Sequence, residues 1–120
     1  MKIDRVKVLF KYNCRCAYCG KKLALNSMQV DHRYPKRFGG TDAFDNLMPS
    51  CRRCNHYKRA NSIEVYRNLI NTVYDRIGKT YLAKVAEDYG IIKPIKWHGK
   101  FFFELYDESV NMTYFKLKDQ

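Results

Sequence analysis

Four cysteines in two Cys-x-x-Cys pairs, Cys16 with Cys19 and Cys51 with Cys54, form the densest group of metal-ligating side chains in the chain. Each pair sets two thiolates on one edge of a tetrahedron, and two such knuckles complete a sulfur-only zinc site with no position left for water. A zinc held this way is structural. The gap between Cys19 and Cys51 exceeds the roughly 15–20 residues of a simple ribbon, so a folded insert has to lie between the knuckles. Cys14 is read as a free thiol, because Cys14-x-Cys16 is a poorer bite than Cys16-x-x-Cys19.

The insert and the residue after the last cysteine carry a second reactive set: Asp31-His32, Asn46 and Asn55, with His56 beside it. Hydrolysis of a phosphodiester needs a base to take a proton from water. It also needs a cation to stabilise charge on phosphorus and the leaving oxygen, and donors to hold the phosphate. His32 suits the first task, since a free imidazole titrates near about 6.5 and is largely neutral at neutral pH. Asp31 with the amide oxygen of Asn55 makes a hard-oxygen site for Mg2+ or Mn2+, while zinc prefers the sulfurs. Successive residues of a helix diverge by about 100°, so Asn55 and His56 are alternatives for that cation rather than joint ligands.

Lys and Arg outnumber Asp and Glu by 23 to 12, for a net charge of +11 and a pI near 9.5, and a polyanion is the natural partner of such a surface. Lys36, Arg37, Arg52, Arg53, Lys58 and Arg59 flank the reactive set and are the candidate phosphate contacts. A hydrophobic fraction of 46% excludes a disordered chain. No apolar run approaches the roughly twenty residues of a membrane span, and Lys2, Asp4, Arg5 and Lys7 interrupt any apolar secretory segment after Met1. The expectation is a cytoplasmic protein in a reducing compartment, with no membrane partner.

In order, the chain reads Cys16-x-x-Cys19-Gly20, Val30-Asp31-His32-x-x-Pro35, Gly39-Gly40, Asp45-Asn46-Leu47 and Cys51-x-x-Cys54-Asn55-x-x-Lys58. This combination resembles the HNH endonuclease family in its zinc-knuckle form. The resemblance implies the ββα-metal (His-Me finger) fold and hydrolysis of DNA to 5′-phosphate and 3′-hydroxyl ends. It also implies Asp31 and Asn55 as ligands of the catalytic ion, His32 as general base, and Asn46 as the residue that pins the long loop. The family's spacing from the cysteine favours Asn55 over His56, although many members have His where Asn55 stands. Small free-standing members are common in phages and mobile elements, so a phage source, the host cytoplasm, and a homodimer or a phage DNA-processing partner are expected. One active site nicks one strand. Charge and cysteines alone also allow a non-catalytic zinc-ribbon nucleic-acid-binding module or an accessory subunit of a larger DNA-processing complex. Those readings leave Asp31, His32, Asn46 and Asn55 unexplained.

The elements that must hold these groups can be read in outline. Val6, Leu9 and Phe10 give Asp4–Tyr12 a helical spacing, and Met28–His32 reads as a short strand broken before Pro35. Asp31 and His32 would face opposite sides of a regular strand, so the pair must sit at a strand end or an irregularity. Residues 36–50 read as a loop, or a loop with a second strand, where Pro49 stops any element arriving from upstream; Ser50 then caps a helix from Cys51. Ile63, Tyr66, Ile70, Val73 and Ile77 predict one amphipathic helix ending at Gly78. Tyr81–Tyr89 predicts another that buries Leu82, Val85 and Ala86. The tail from Ile95 through His98-Gly99 to Tyr106 predicts a β-hairpin, with Lys96, Lys100, Lys116 and Lys118 extending the DNA footprint. The expected fold class is therefore α+β, with a zinc-bound core over 1–60 and a helical and β-hairpin extension over 61–120 packed on it as one folding unit.

Overall fold

Asp4 starts the first helix by accepting a hydrogen bond from the Lys7 N–H, and helix α1 runs from Arg5 to Phe10. The computed structural model describes residues 2–118, with side chains described as far as residue 112, so the side chains of Lys116 and Lys118 lie outside the described residues. The face α1 buries is Val8 and Leu9, continued by Tyr12, while Val6 and Phe10 stay exposed at 50% and 62%. Two apolar stripes overlap on this helix, and the partners choose between them: Val8 and Leu9 pack with Met28 and Leu47.

Strands β1 (Gln29–His32) and β2 (Leu47–Ser50) pair antiparallel, with Asp31 opposite Met48 and His32 opposite Leu47. Pro49 therefore sits inside a strand instead of stopping one. Arg33 N–H donates to the Asn46 carbonyl (2.9 Å), which makes that pair hydrogen-bonded. Alternation along the ladder then makes Val30–Pro49 a non-bonded pair, where the proline's missing N–H faces away from β1. Its carbonyl accepts from Ala17 N–H (2.8 Å), tying β2 to the first knuckle.

Helix α2 (Arg52–Lys58) follows directly, and α3 (Ile63–Asn71), α4 (Val73–Ile77) and α5 (Tyr81–Asp88) complete the middle of the chain. The single helix expected after Ser62 is broken at Thr72, whose hydroxyl donates back to the Asn68 carbonyl (2.8 Å) and competes with helix continuation. Helix α5 buries none of its residues: Leu82, expected inside, is 78% exposed, and Val85 and Ala86 are only half-buried. Its periodicity is real, but its apolar face is only partly covered, with the Tyr74 hydroxyl of α4 reaching Glu87.

The expected β-hairpin is absent, because Phe102–Lys118 is helix α6. Three aromatic residues in a row favour a strand locally, yet their N–H groups find helical-start partners. Glu104 Oε1 accepts from Phe101 N–H (2.9 Å), Tyr18 O from Phe102 N–H (3.1 Å) and Ala17 O from Phe103 N–H (2.7 Å). Phe101 and Phe103 are thereby driven into the main core with Tyr18, Met48, Ile63 and Tyr66. Tyr66 stacks on Phe101 (centroids 5.3 Å apart, 10° between planes), and Tyr18 meets both edge-on. Arg67 clamps α3 to α6 through two hydrogen bonds to Glu104 (2.7 and 2.9 Å). The result is a small α+β fold with one two-stranded sheet and helices around it, and no helix among the described residues is long and apolar enough to cross a membrane.

Candidate metal centres and active-site cavity

The first knuckle is a tight turn. Arg15 bridges Lys22, Cys16 N–H donates to Lys21 O (2.8 Å), and Gly20, at φ 80°, donates to Cys16 O (3.0 Å) in a conformation that favours glycine. The second knuckle is the start of α2, where Cys51 is the N-cap and Cys54 lies in the first turn. β2 brings the two together, since Cys51 N–H donates to Cys16 Sγ (3.3 Å) and Cys54 N–H to Cys51 Sγ (3.4 Å).

All four sulfurs lie within 4.8 Å of one another, and the Cys19–Cys51 separation is 3.8 Å. A tetrahedron with Zn–S bonds of roughly 2.3 Å has edges of about 3.8 Å. Hydrogen bonds from Cys19 and Cys54 hold the Cys16 thiol far below the ordinary thiol range, and both partners are pushed upward in return. Four such sulfurs can all carry charge only around a cation. The donor set fits zinc, and Cys14 lies outside it.

A separate cavity of about 310 Å3 opens where β1 ends against α2, lined by Asp31, His32, Pro35, Lys36, Asn55 and Arg59. His32 is the last residue of β1, as a pair sharing one cavity requires, and both side chains have protein partners. Asp31 is 7% exposed; its Oδ2 accepts from the Tyr18 hydroxyl and forms an ion pair with Lys58 Nζ at 2.9 Å. His32 Nε2 lies 2.7 Å from Asp42 Oδ1, and Lys36 Nζ lies 3.1 Å from the same carboxylate. Contact first with His32 and then with Lys36 holds the Asp42 carboxyl below its ordinary range.

The loop that delivers Asp42 is tied at both ends by one side chain. Asn46 is buried; it accepts from Tyr34 N–H (2.8 Å) and donates to the carbonyls of Tyr34 (3.1 Å) and Thr41 (2.8 Å). Gly40 is required by close approach, because a Cβ there would lie 1.7 Å from the Tyr34 carbonyl oxygen.

The structure groups the sequence-derived residues unevenly. Asp31, His32, Asn55, Lys36 and Arg59 share the cavity. Arg52, Arg53 and His56 line a different groove of about 620 Å3 with Lys21 and Lys22, so His56 and Asn55 face different spaces. Arg37 lies over the Phe38 ring (4.5 Å) and near Asn61 (3.5 Å). Lys58, expected among the phosphate contacts, is corrected: it is fully buried, bonded to Asp31 and to the His32 carbonyl (3.1 Å). Sequence reasoning missed Tyr18, Asp42, Lys21 and Lys22. Only Asp42 had a usable signal, as a carboxylate in a long loop anchored by Asn46.

The HNH endonuclease family model matches residues 16–61, from the first knuckle cysteine to just past α2. The CRISPR-associated endonuclease Cas9 of Corynebacterium diphtheriae is 36% identical over 55 residues, which is 45% of this chain and 5% of that protein. The crystal structure of the type II-C Cas9 enzyme from Actinomyces naeslundii matches with a TM-score of 0.50 and 31% identity over 53% of this chain and 7% of that one. The chain thus spans a small fraction of the length of these relatives.

Proposed function

We propose that the chain, whose residues 16–61 match HNH endonucleases, is a metal-dependent DNA endonuclease in which Asp31 and Asn55 hold one divalent cation, Mg2+ or Mn2+, and His32 is the general base. The observation that carries this reading is the cavity shared by those three side chains at the meeting of β1 and α2. A bound divalent ion supplies charge stabilisation to the scissile phosphate and its departing oxygen. The donors fit such an ion: one carboxylate oxygen and one amide oxygen, beside an open space for water.

His32 takes the proton of the attacking water. Asp42 engages Nε2 at 2.7 Å, so a neutral ring donates there and keeps its lone pair on Nδ1, the nitrogen left to act as base. Asn46 positions this base indirectly, by fixing the loop that carries Asp42. Lys36 and Arg59, at the cavity, hold phosphate oxygens, and Lys21, Lys22, Arg52 and Arg53 carry the backbone beyond it. The sulfur-bound zinc takes no part in the chemistry. One such site nicks one strand, leaving 5′-phosphate and 3′-hydroxyl ends; a homodimer or a phage DNA-processing partner would supply the second cut.

Supercoiled plasmid incubated with Mg2+ or Mn2+ tests the reading. Nicked circles are expected, abolished by EDTA and by His32→Ala, with the zinc content of the variant unchanged. Undiminished cutting by His32→Ala would overturn the assignment of the base, and a zinc-loaded protein inert towards DNA with either ion would overturn the activity.

A further inference from the structure

Asp31 is held from two sides through a single oxygen. The Tyr18 hydroxyl and the Lys58 ammonium both meet Oδ2, and among the described residues Oδ1 accepts no hydrogen bond. Tyr18 lies within the Cys16–Cys19 knuckle, and Lys58 ends the helix that Cys51 caps. Each zinc knuckle therefore sends one side chain to the same carboxylate oxygen, a hydroxyl that donates and an ammonium that pairs with it. The assembly is buried throughout, with Tyr18 4% and Lys58 0% exposed, and Lys58 also donates to the backbone carbonyl of His32.

A buried ion pair is a poor device for stability, because the cost of removing both charges from water roughly offsets their attraction. What a hydrogen bond and an ion pair on one oxygen do achieve is orientation. A carboxylate free to rotate presents either oxygen, or both, to a cation; with Oδ2 occupied, only Oδ1 remains. Mg2+ and Mn2+ sites that keep several waters need one oxygen at a fixed place rather than a two-oxygen grip.

We infer that Tyr18, together with Lys58, is a positioning residue that makes Asp31 a one-oxygen ligand, so that the sulfur cluster sets the geometry of the catalytic cation site through the Tyr18 hydroxyl. This rests on the reading of Asp31 as a ligand of that cation. Partners that orient metal ligands in this way typically contribute about 10–100-fold in metal affinity or activity.

Lys58→Met would strand a buried carboxylate without its counter-charge and is expected to lower the melting temperature strongly. Tyr18→Phe carries the test instead, because it keeps the ring against Tyr66, Phe101 and Phe103 and removes only the hydroxyl. Free Mn2+ is titrated by electron paramagnetic resonance against zinc-loaded protein, with thermal melting in parallel. Tyr12→Phe, which trims another buried tyrosine, is the control. Tyr18→Phe is expected to bind Mn2+ about tenfold more weakly with zinc content unchanged, Tyr12→Phe to match the parent, and Asp31→Asn to lose the site. Parental Mn2+ affinity in Tyr18→Phe, with or without a lower melting temperature, would make the hydroxyl a core contact only and overturn the inference while leaving Asp31 as a ligand. Mn2+ binding insensitive to Asp31→Asn would overturn both.

Discussion

The sulfur cluster and the oxygen-lined cavity share α2 yet are built on opposite rules. Cys16 and Cys51 are buried within the aromatic core, and the Cys51 N–H donates to Cys16 Sγ from one knuckle to the other. The cavity is open, mounted on the end of a short strand, and lined largely by charged and polar side chains, several of them neutralised by neighbours. The cluster is a part of the core, and the cavity is fixed onto it. Disturbing the first should cost the fold, and trimming a part-exposed group of the second, such as His32, should cost chemistry alone.

Cys51→Ser puts the first half of that contrast at greatest risk. A structural zinc contributes on the order of 10 kcal/mol, comparable to the whole stability of a small domain, so the variant is expected to lose cooperative melting by circular dichroism. A sharp transition at the parental temperature would remove the cluster from the core. His32→Ala bears on the second half: plasmid nicking should fall by about 10²–10⁴-fold with the melting temperature preserved, and a large drop in melting temperature would blur the division.

Asp42→Asn should slow nicking on the order of tenfold by loosening the imidazole. The sign of its pH dependence is fixed by its depressed carboxyl. Such a group stabilises the fold above its unfolded value of 3.8, and the contribution is lost as pH falls through the lower folded value. Between about pH 5 and 8 the carboxylate stays charged. The melting temperatures of parent and Asp42→Asn should therefore converge as pH falls below 3.8, and a difference that stays constant there would assign the titration elsewhere.

Glu104→Gln sharpens the comparison from outside both sites. Burial favours protonation of Glu104, but Arg67 and the Phe101 N–H outweigh it and hold the carboxyl below its usual range. Loss of the charged clamp should lower stability by about 1–2 kcal/mol in denaturant melts, while nicking at a permissive temperature is unchanged. The smallest effect is expected from Lys21→Gln with Lys22→Gln: DNA binding weakens modestly, its log–log salt slope drops by about 2, and neither ion site changes. A slope identical to the parent's would take the groove out of the DNA footprint.

What could be read from sequence follows the same division. The knuckles and the Asp31-His32 strand end were legible because their geometry is set by spacing over a few residues. Asn46 and Asn55 were legible only as parts of a pattern. Tyr18 and Lys58 were not, since a tyrosine in a knuckle and a lysine in a basic stretch acquire their roles only when β1 is laid between them. The Phe101–Phe103 run misled for a related reason: the partners that make it a helix start are carbonyls some eighty residues earlier, at Ala17 and Tyr18. Helix α5 shows the converse, a face with the right period and no fully buried residue.

Those two carbonyls also impose an order of events during synthesis. All four thiolates have left the ribosome once Cys54 emerges, whereas the amides that dock on Ala17 and Tyr18 belong to Phe102 and Phe103 and arrive only half a chain later. Ion capture can thus precede the lid of aromatic rings. Deuterium uptake at the Phe102 and Phe103 amides becomes a local gauge of whether the nascent knuckle was filled correctly before it was covered.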